Sequence, residues 1–265
     1  MNLPAAHAIS TPQTVSRFAS WPVRDQGKRG TCVAFAMAAA HQSVSGGSGF
    51  EFSPQFLFWA TKTGGIDPRP ASDGTRIEYA VDSVATRGVC LEPKWIYDGR
   101  VIRGNVTHAT TSPPPPQPSS TAQRDALAFR RQHRIHPYTT AAQQVWSILA
   151  GGGLAVVSLP VVQLGSRSRA VSNWTTPLSL KKGHVTDPPP SRMPAVVRSA
   201  HAVCVTGFVA DPVEPCGGYF VFRNSWGPRW AWDLPDPAYP QQIPGYGRVS
   251  ASFVDRWLIE LAEIR

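Results

Sequence analysis

A cysteine stands where a cationic, glycine-rich loop meets a run of helix-forming residues. The loop Gln26 to Thr31 reads QGKRGT, and Cys32 begins the uncharged run CVAFAMAAA. A thiol in the first turn of a helix lies beside unpaired backbone N–H groups and the positive end of the helix dipole, which favour the thiolate. Gln26 precedes the cysteine across a tight turn, so its amide can stand beside the Cys32 N–H as an oxyanion donor. Cys32 is therefore a candidate nucleophile.

A histidine and an asparagine complete a chemical set with this cysteine, although they lie far along the chain. Two β-rich runs at 202–208 and 219–222 predict a hairpin, and pairing centred near residue 212 or 213 sets His201 opposite Asn224. An imidazole near the thiol can take its proton and form a thiolate–imidazolium pair. The asparagine oxygen can accept from the other ring nitrogen and so orient the ring.

The remaining pattern predicts the elements that position these residues. We expect helices from Cys32 to about His41, from Pro54 with Ser53 as its N-cap, from Asp73 or Thr75 to Arg87, and from Ala141 to Ala150. Strands are expected at 154–159, 202–208 and 219–222. Helices first and strands second predict an α+β fold of two lobes with a cleft between them.

Composition limits the partners that this chain can have. The net charge of +9 favours acidic partners, but the basic residues form short scattered groups without interleaved aromatics, so nucleic acid is not expected as a direct ligand. The N-terminus has no signal-peptide pattern and no apolar run is long enough for a membrane helix, so we expect synthesis in the cytoplasm and no membrane partner. The four cysteines are widely spaced, without CxxC or zinc-ligand spacing, so we expect no disulfide framework, no metal and no other cofactor.

Four blocks, in the same order, resemble those of papain-like cysteine peptidases. QGKRGTCVAFA around Cys32 resembles the family signature QGxCGSCWAFA, SAHAV contains His201, and RNSWGPRW contains Asn224. Asp73-Gly74-Thr75 resembles the glycine-containing substrate-binding segment. The resemblance covers about residues 21 to 250. It implies an α+β, papain-like, two-lobed fold, with a helical N-terminal lobe whose central helix begins at the nucleophile and an antiparallel, β-barrel-like C-terminal lobe.

The same resemblance implies a role for each matching residue. Cys32 is the nucleophile, His201 the general base and acid, Asn224 the orienting residue and Gln26 the oxyanion donor; Trp226 shields the bond between His201 and Asn224, and Gly74, Thr75 and Trp226 contribute to substrate binding. Three positions depart from the family pattern. Arg29 replaces a cysteine that normally forms a disulfide, Val33 replaces the tryptophan after the nucleophile, and Thr75 replaces the second glycine of the substrate segment.

The blocks also divide the chain. We expect an N-terminal arm at 1–20 and a papain-like peptidase domain at 21–265, made of a helical lobe at about 21–100, a Pro-rich insertion at about 101–122 and a β-rich lobe at about 140–265. Residues 163–198 and 231–244 are expected to be further insertions.

The predicted function is a cysteine endopeptidase that hydrolyses peptide bonds of a protein substrate through a thioacyl-enzyme. Two alternatives remain: an acyltransferase or deamidase toxin, for which Asp is commoner at the position of Asn224, and a catalytically inactive binding module. Only about twenty residues precede Trp21, which is too few for a family pro-segment. We therefore expect a bacterial effector or toxin protease with a specific intracellular target, delivered by a dedicated secretion system and restrained by a small acidic inhibitor or immunity protein.

Overall fold

The structure, a computed structural model, describes residues 6–17, 21–45, 50–99, 117–137, 139–164, 171–188, 197–233 and 243–265. Within these ranges the helices are α1 Cys32–Val44, α2 Pro54–Lys62, α3 Ile77–Arg87, α4 Ser120–Ala128, α5 Ala141–Ala150, α6 Pro177–Lys182 and α7 Ala251–Trp257. The strands are β1 Val15–Ser16, β2 Arg134–Ile135, β3 Leu154–Val162, β4 Val197–Ala210, β5 Gly218–Arg223, β6 Tyr246–Ser250 and β7 Glu260–Ile264.

The predicted helices of the first ninety residues are all present, and local chemistry explains their ends. Ser53 caps α2 by accepting a 3.0 Å hydrogen bond from the Phe56 N–H, and Pro54 occupies the first helical position. Gly88 follows α3 with φ 72°, a left-handed conformation that glycine adopts without a Cβ penalty. α1 runs three residues beyond the predicted end at His41, to Val44. The predicted helix breaker, Gly46-Gly47, lies outside the described residues.

α1 is the central helix, and its sequence shows why. Nearly all of its side chains are small or apolar and buried, including Met37 and Ala40, both with no exposed surface. It contacts α2 and α3 as well as β3 and β4. One apolar core therefore joins the helices to the sheet and fixes the position of Cys32 at the N-terminal end of α1.

The β-rich half is an antiparallel sheet with the order β2-β7-β3-β4-β5-β6 among the described residues, and β1 pairs with β4 outside this path. β3 lies between β7 and β4 and is buried along almost its whole length, as its apolar sequence LAVVSLPVV predicts. β4 carries His201, whose Cα partner on β3 is Leu159.

The hairpin of β4 and β5 forms, but its register differs from the prediction. Cys204 pairs with Arg223, and an irregularity between Val205 and Gly207 shifts the pairing further along. Cys216 and Gly217 both adopt positive φ in the turn next to β5. His201 therefore does not face Asn224 directly across the ladder.

Several elements were not predicted, although their starts carry a capping signal. Ser119, Thr176 and Ser250 each accept a hydrogen bond from the backbone N–H three residues later, at the starts of α4, α6 and α7. α4 begins inside the segment assigned to the Pro-rich insertion, of which residues 101–116 lie outside the description. Within the expected irregular arm, Val15 and Ser16 pair with Phe208 and Gly207 of β4.

Candidate active site

One cleft of about 850 Å³ contains most of the residues that the sequence singled out. Its lining includes Gln26, Cys32, Gly74, Thr75, His201 and Trp226. α1 presents the half-buried Cys32 from one side and β4 presents His201 from the other. Asn224 does not line the cleft; it follows β5 and lies behind the histidine, at 5% exposure.

The thiol of Cys32 reaches the strand that carries His201. Its pKa is raised above the ordinary value mainly by burial, while backbone hydrogen bonds from Ala202, Val33 and Cys32 itself lower it in part. The contact with Ala202 brings the sulfur to the residue next to His201. Burial thus favours the protonated thiol, so a neighbouring base is needed to generate the nucleophile.

The hydrogen bonds of Asn224 determine which nitrogen of His201 carries the proton. The Asn224 Oδ1 atom lies 2.7 Å from His201 Nε2 and 2.8 Å from the Ser225 backbone N–H. Because a backbone N–H can only donate, the atom that faces it is the amide oxygen, an acceptor. His201 must therefore donate from Nε2, which leaves the lone pair of Nδ1 free to accept a proton.

Burial also keeps this imidazole neutral. Desolvation lowers the pKa of His201 to about 4, and the hydrogen bond to Asn224 opposes that shift. Before a proton moves, the site therefore holds a thiol and a neutral imidazole. The expected thiolate–imidazolium pair would therefore require proton transfer from the thiol to the imidazole, after which each new charge would stabilise the other.

Two tryptophans enclose the histidine. The Trp226 ring lies 4.5 Å from the His201 ring, at an interplanar angle of 33°. The Trp174 ring meets the same imidazole edge-on at 5.0 Å and is fully buried. Sequence reasoning missed Trp174, because it lies in a segment that was treated as an insertion.

Gln26 lines the same cleft as Cys32, and its amide is oriented by two partners. Its Oε1 accepts a 2.6 Å hydrogen bond from the Ser225 hydroxyl, and its Nε2 donates to the Arg29 carbonyl at 2.7 Å. One Nε2 hydrogen remains for a ligand in the cleft that Gln26 and Cys32 both line.

The predicted substrate segment forms another wall of the cleft. Gly74 has φ 81°, and the Asp73 carboxylate accepts a 3.0 Å hydrogen bond from the Gly30 N–H. A Cβ on Gly30 would lie 2.7 Å from both Asp73 Oδ1 and the Gly74 nitrogen, so only glycine allows this close approach. The Thr75 hydroxyl donates to Asp67, which also pairs with the buried Lys62 at 2.7 Å.

The departures from the family pattern have structural counterparts. All four cysteines are free, so no disulfide reaches the loop before Cys32. Val33 lines the cleft and is almost fully buried.

Among the described residues, no cluster of three or more His, Cys, Asp or Glu side chains could hold a metal ion. None of the helices in the described ranges is both long enough and apolar enough to cross a membrane.

The fold is shared with known cysteine proteases. No protein-family model and no curated protein sequence matches the chain. Xylellain, a cysteine protease from Xylella fastidiosa, superposes with a TM-score of 0.70 at 19% identity, over 98% of this chain and 91% of that one. The Carica candamarcensis cysteine protease CMS1MS2 gives 0.56 at 19% identity, over 95% and 97%. Digestive procathepsin L 3 of Tenebrio molitor gives 0.57 at 15% identity, over 98% and 73%. The chain has a papain-like α+β fold, as predicted.

Proposed function

We propose that this protein is a cysteine endopeptidase that hydrolyses peptide bonds of a protein substrate through a thioacyl-enzyme. The proposal rests on the protonation pattern of the site. The His201 imidazole donates from Nε2 to Asn224, which leaves a free lone pair on Nδ1, and it lines the cleft that contains the thiol at the start of α1. Similarity of fold to cysteine proteases supports the same activity.

In this mechanism His201 Nδ1 takes the thiol proton as Cys32 Sγ attacks the carbonyl carbon. The Cys32 backbone N–H and Gln26 Nε2 stabilise the oxyanion of the tetrahedral intermediate. The intermediate collapses, the amine leaves with the proton from His201, and the acyl group remains on sulfur. A water, deprotonated by His201, then attacks the thioester and releases the carboxylic acid and the free thiol.

The direct test is peptide hydrolysis by the wild type and by Cys32→Ala. Turnover should be lost in the variant while thermal unfolding is little changed, because the thiol is small and only partly packed. Cys216→Ala is a matched control, since Cys216 is also a half-buried free thiol but lies in the turn before β5. Measurable turnover by Cys32→Ala would remove the assignment.

The masses of the products separate the alternatives. Hydrolysis yields two fragments whose masses sum to that of the substrate plus one water. A transferase would join the acyl group to an added amine, a deamidase would convert a side-chain amide without cleaving the chain, and a binding module would leave the peptide intact. Covalent labelling by a thiol-directed epoxide would also be absent in a binding module whose thiol is not activated.

We further propose that the enzyme is a bacterial effector or toxin protease restrained by a small acidic inhibitor protein. The exposed charge of the cleft supports an acidic partner, because Lys28 and Arg69 line it against one exposed carboxylate, Asp73. Arg29 is buried, and Arg76 already pairs with Glu260. Lys28 and Arg69 are exposed at its rim, where they would speed the encounter with an acidic protein and make binding sensitive to salt.

Growth of a bacterial host tests the effector role. Wild-type expression should slow growth, Cys32→Ala at matched expression should not, and co-expression of an acidic protein from a neighbouring gene should restore growth. Harmless wild-type expression of an active enzyme would contradict the effector proposal and leave the peptidase proposal standing. Activity that appears only after removal of an N-terminal fragment would show that the arm restrains the enzyme.

A further inference from the structure

We infer that Arg29 and Tyr97 act as positioning residues: together they form a noncovalent clamp that fixes the loop Gln26 to Thr31 in the geometry needed for oxyanion stabilisation. This inference rests on the proposed peptidase function. The clamp is defined by these two residues and by the two acceptors of the Arg29 guanidinium, Gln55 and the carbonyl of Asp98.

The guanidinium of Arg29 joins three separate parts of the chain. Nη1 donates to Gln55 Oε1 on α2 and to the Asp98 carbonyl, both at 2.6 Å. Its carbon atom lies 5.0 Å from the centroid of the Tyr97 ring and 5.6 Å from that of Phe58. Arg29 is only 5% exposed, so a long cationic side chain is committed to this position rather than to solvent.

The backbone of Arg29 acts directly on the candidate oxyanion donor. Its carbonyl accepts from Gln26 Nε2 at 2.7 Å, which directs one hydrogen of that amide into the loop. Since each Nε2 carries two hydrogens, fixing one fixes the direction of the other. The position of Arg29 therefore controls how Gln26 Nε2 faces the oxygen of a substrate carbonyl that Cys32 Sγ attacks.

Tyr97 holds the two ends of the same loop. Its hydroxyl donates to the Gln26 carbonyl at 2.8 Å and lies 2.7 Å from the Thr31 hydroxyl. The ring meets Phe35 of α1 edge-on at 4.7 Å, which ties the loop to the helix that carries Cys32. A Cβ on Gly27 would lie 2.7 Å from the Gly99 carbonyl, so the segment after Tyr97 lies directly against the loop.

The residues that contact the loop, Gln55, Tyr97 and Asp98, do not line the cleft, and they hold the loop in place without a covalent bond. The cysteines are all free, so the loop is tied at this position by hydrogen bonds and ring contacts instead. Lysine cannot replace arginine here, because its ammonium has no planar face to pack against Tyr97 and Phe58 while it donates to the two acceptors. Loss of the guanidinium should loosen the loop rather than the whole fold.

The experiment measures kcat and KM for Arg29→Lys and Tyr97→Phe, with Arg87→Lys as control. Arg87 also places its guanidinium against an aromatic ring, Trp59, and donates one hydrogen bond, but it is not part of the cleft lining. We expect kcat to fall about tenfold to a hundredfold in both clamp variants, with little change in KM, because a small misplacement of an oxyanion donor weakens transition-state binding. Arg87→Lys should retain wild-type kcat.

Two further measurements separate positioning from general stability. If the clamp acts through Gln26, Arg29→Lys combined with Gln26→Ala should be no slower than Gln26→Ala alone. Arg29→Ala should regain activity with added ethylguanidinium but not with ethylammonium. Additive losses in the double variant, or wild-type kcat in Tyr97→Phe, would overturn the clamp.

Folding and function are controlled separately. If Arg29→Lys fails to fold, Tyr97→Phe decides, since it removes only the hydroxyl and keeps the ring. Wild-type turnover is measured first: no turnover by the wild type contradicts the proposed function, whereas equal turnover by the wild type and both clamp variants overturns only the clamp.

Discussion

At the scale of single residues, the proposed mechanism separates groups that do chemistry from groups that orient them. Cys32 and His201 meet in the cleft, whereas Asn224 acts from behind the imidazole through one 2.7 Å hydrogen bond. The rings of Trp226 and Trp174 pack against the same imidazole. The proposed mechanism therefore predicts a graded response to substitution.

His201→Ala should reduce kcat nearly as far as Cys32→Ala, because it removes the proton acceptor. Asn224→Ala and Gln26→Ala should each keep activity above background, since loss of one oxyanion donor typically costs about a hundredfold to a thousandfold. Steady-state kinetics of the four purified variants gives the comparison. Equal and complete loss in all four would contradict these separate roles.

The pH dependence of kcat/KM should report the desolvated imidazole. Because the pKa of His201 is lowered to about 4, the base stays unprotonated until the pH falls to that region, and activity is then lost. Asn224→Ala removes the hydrogen bond that raises this pKa, so its acid limb should move to lower pH. An acid limb near the ordinary histidine pKa of 6.5 would show that the ring is hydrated.

At the scale of elements, the sequence allowed the helices to be predicted better than the strand pairing. α2 and α3 were predicted from caps and periodicity, which are local signals. The register of β4 on β5 shifts at an irregularity between Val205 and Gly207, and Cys216 adopts a positive φ in the turn before β5; neither feature could be predicted from residue type. Tyr97 and Trp174 were missed for a related reason, since their partners lie far away in sequence. Residue types were enough to select Cys32, His201 and Asn224 as candidates, and the structure places the first two in one cleft and pairs His201 with Asn224.

A buried histidine pair connects α1 with the segment before β2 and should make stability depend on pH. His41 Nδ1 lies 3.2 Å from His133 Nε2, and burial is the main cause that lowers their pKa values to about 3 and about 4. Below about pH 6.5 the two histidines bind protons in the unfolded chain but not in the folded one, until the pH reaches about 4. The free energy of unfolding therefore decreases as the pH falls from about 6.5 to about 4.

His133→Gln should flatten that dependence. Glutamine keeps a hydrogen-bonding partner for His41 and removes one titrating group, so the slope of unfolding free energy against pH should decrease by up to about one proton. Urea unfolding between about pH 5 and pH 7 measures the slope. An unchanged slope would show that the pair is hydrated or already protonated in the folded protein.

At the scale of the whole molecule, one continuous core holds α1 between the other helices and the sheet, and no cysteine is cross-linked. The free energy of folding therefore comes from noncovalent contacts alone. Thermal unfolding of Cys32→Ala, chosen to avoid self-digestion, should give the same midpoint within about one degree with and without a thiol reductant. A midpoint that falls on reduction would reveal a disulfide.

A chain without cross-links can also be pulled straight from end to end. A narrow transport channel that admits only an extended polypeptide would meet no covalent loop, and only the noncovalent contacts would have to open on entry. On the far side, the contacts of Arg29 can reform as the chain refolds, without the formation of a covalent bond. Refolding after passage would then need no oxidase or disulfide isomerase, and glutathione in a recipient cell would find no disulfide to reduce.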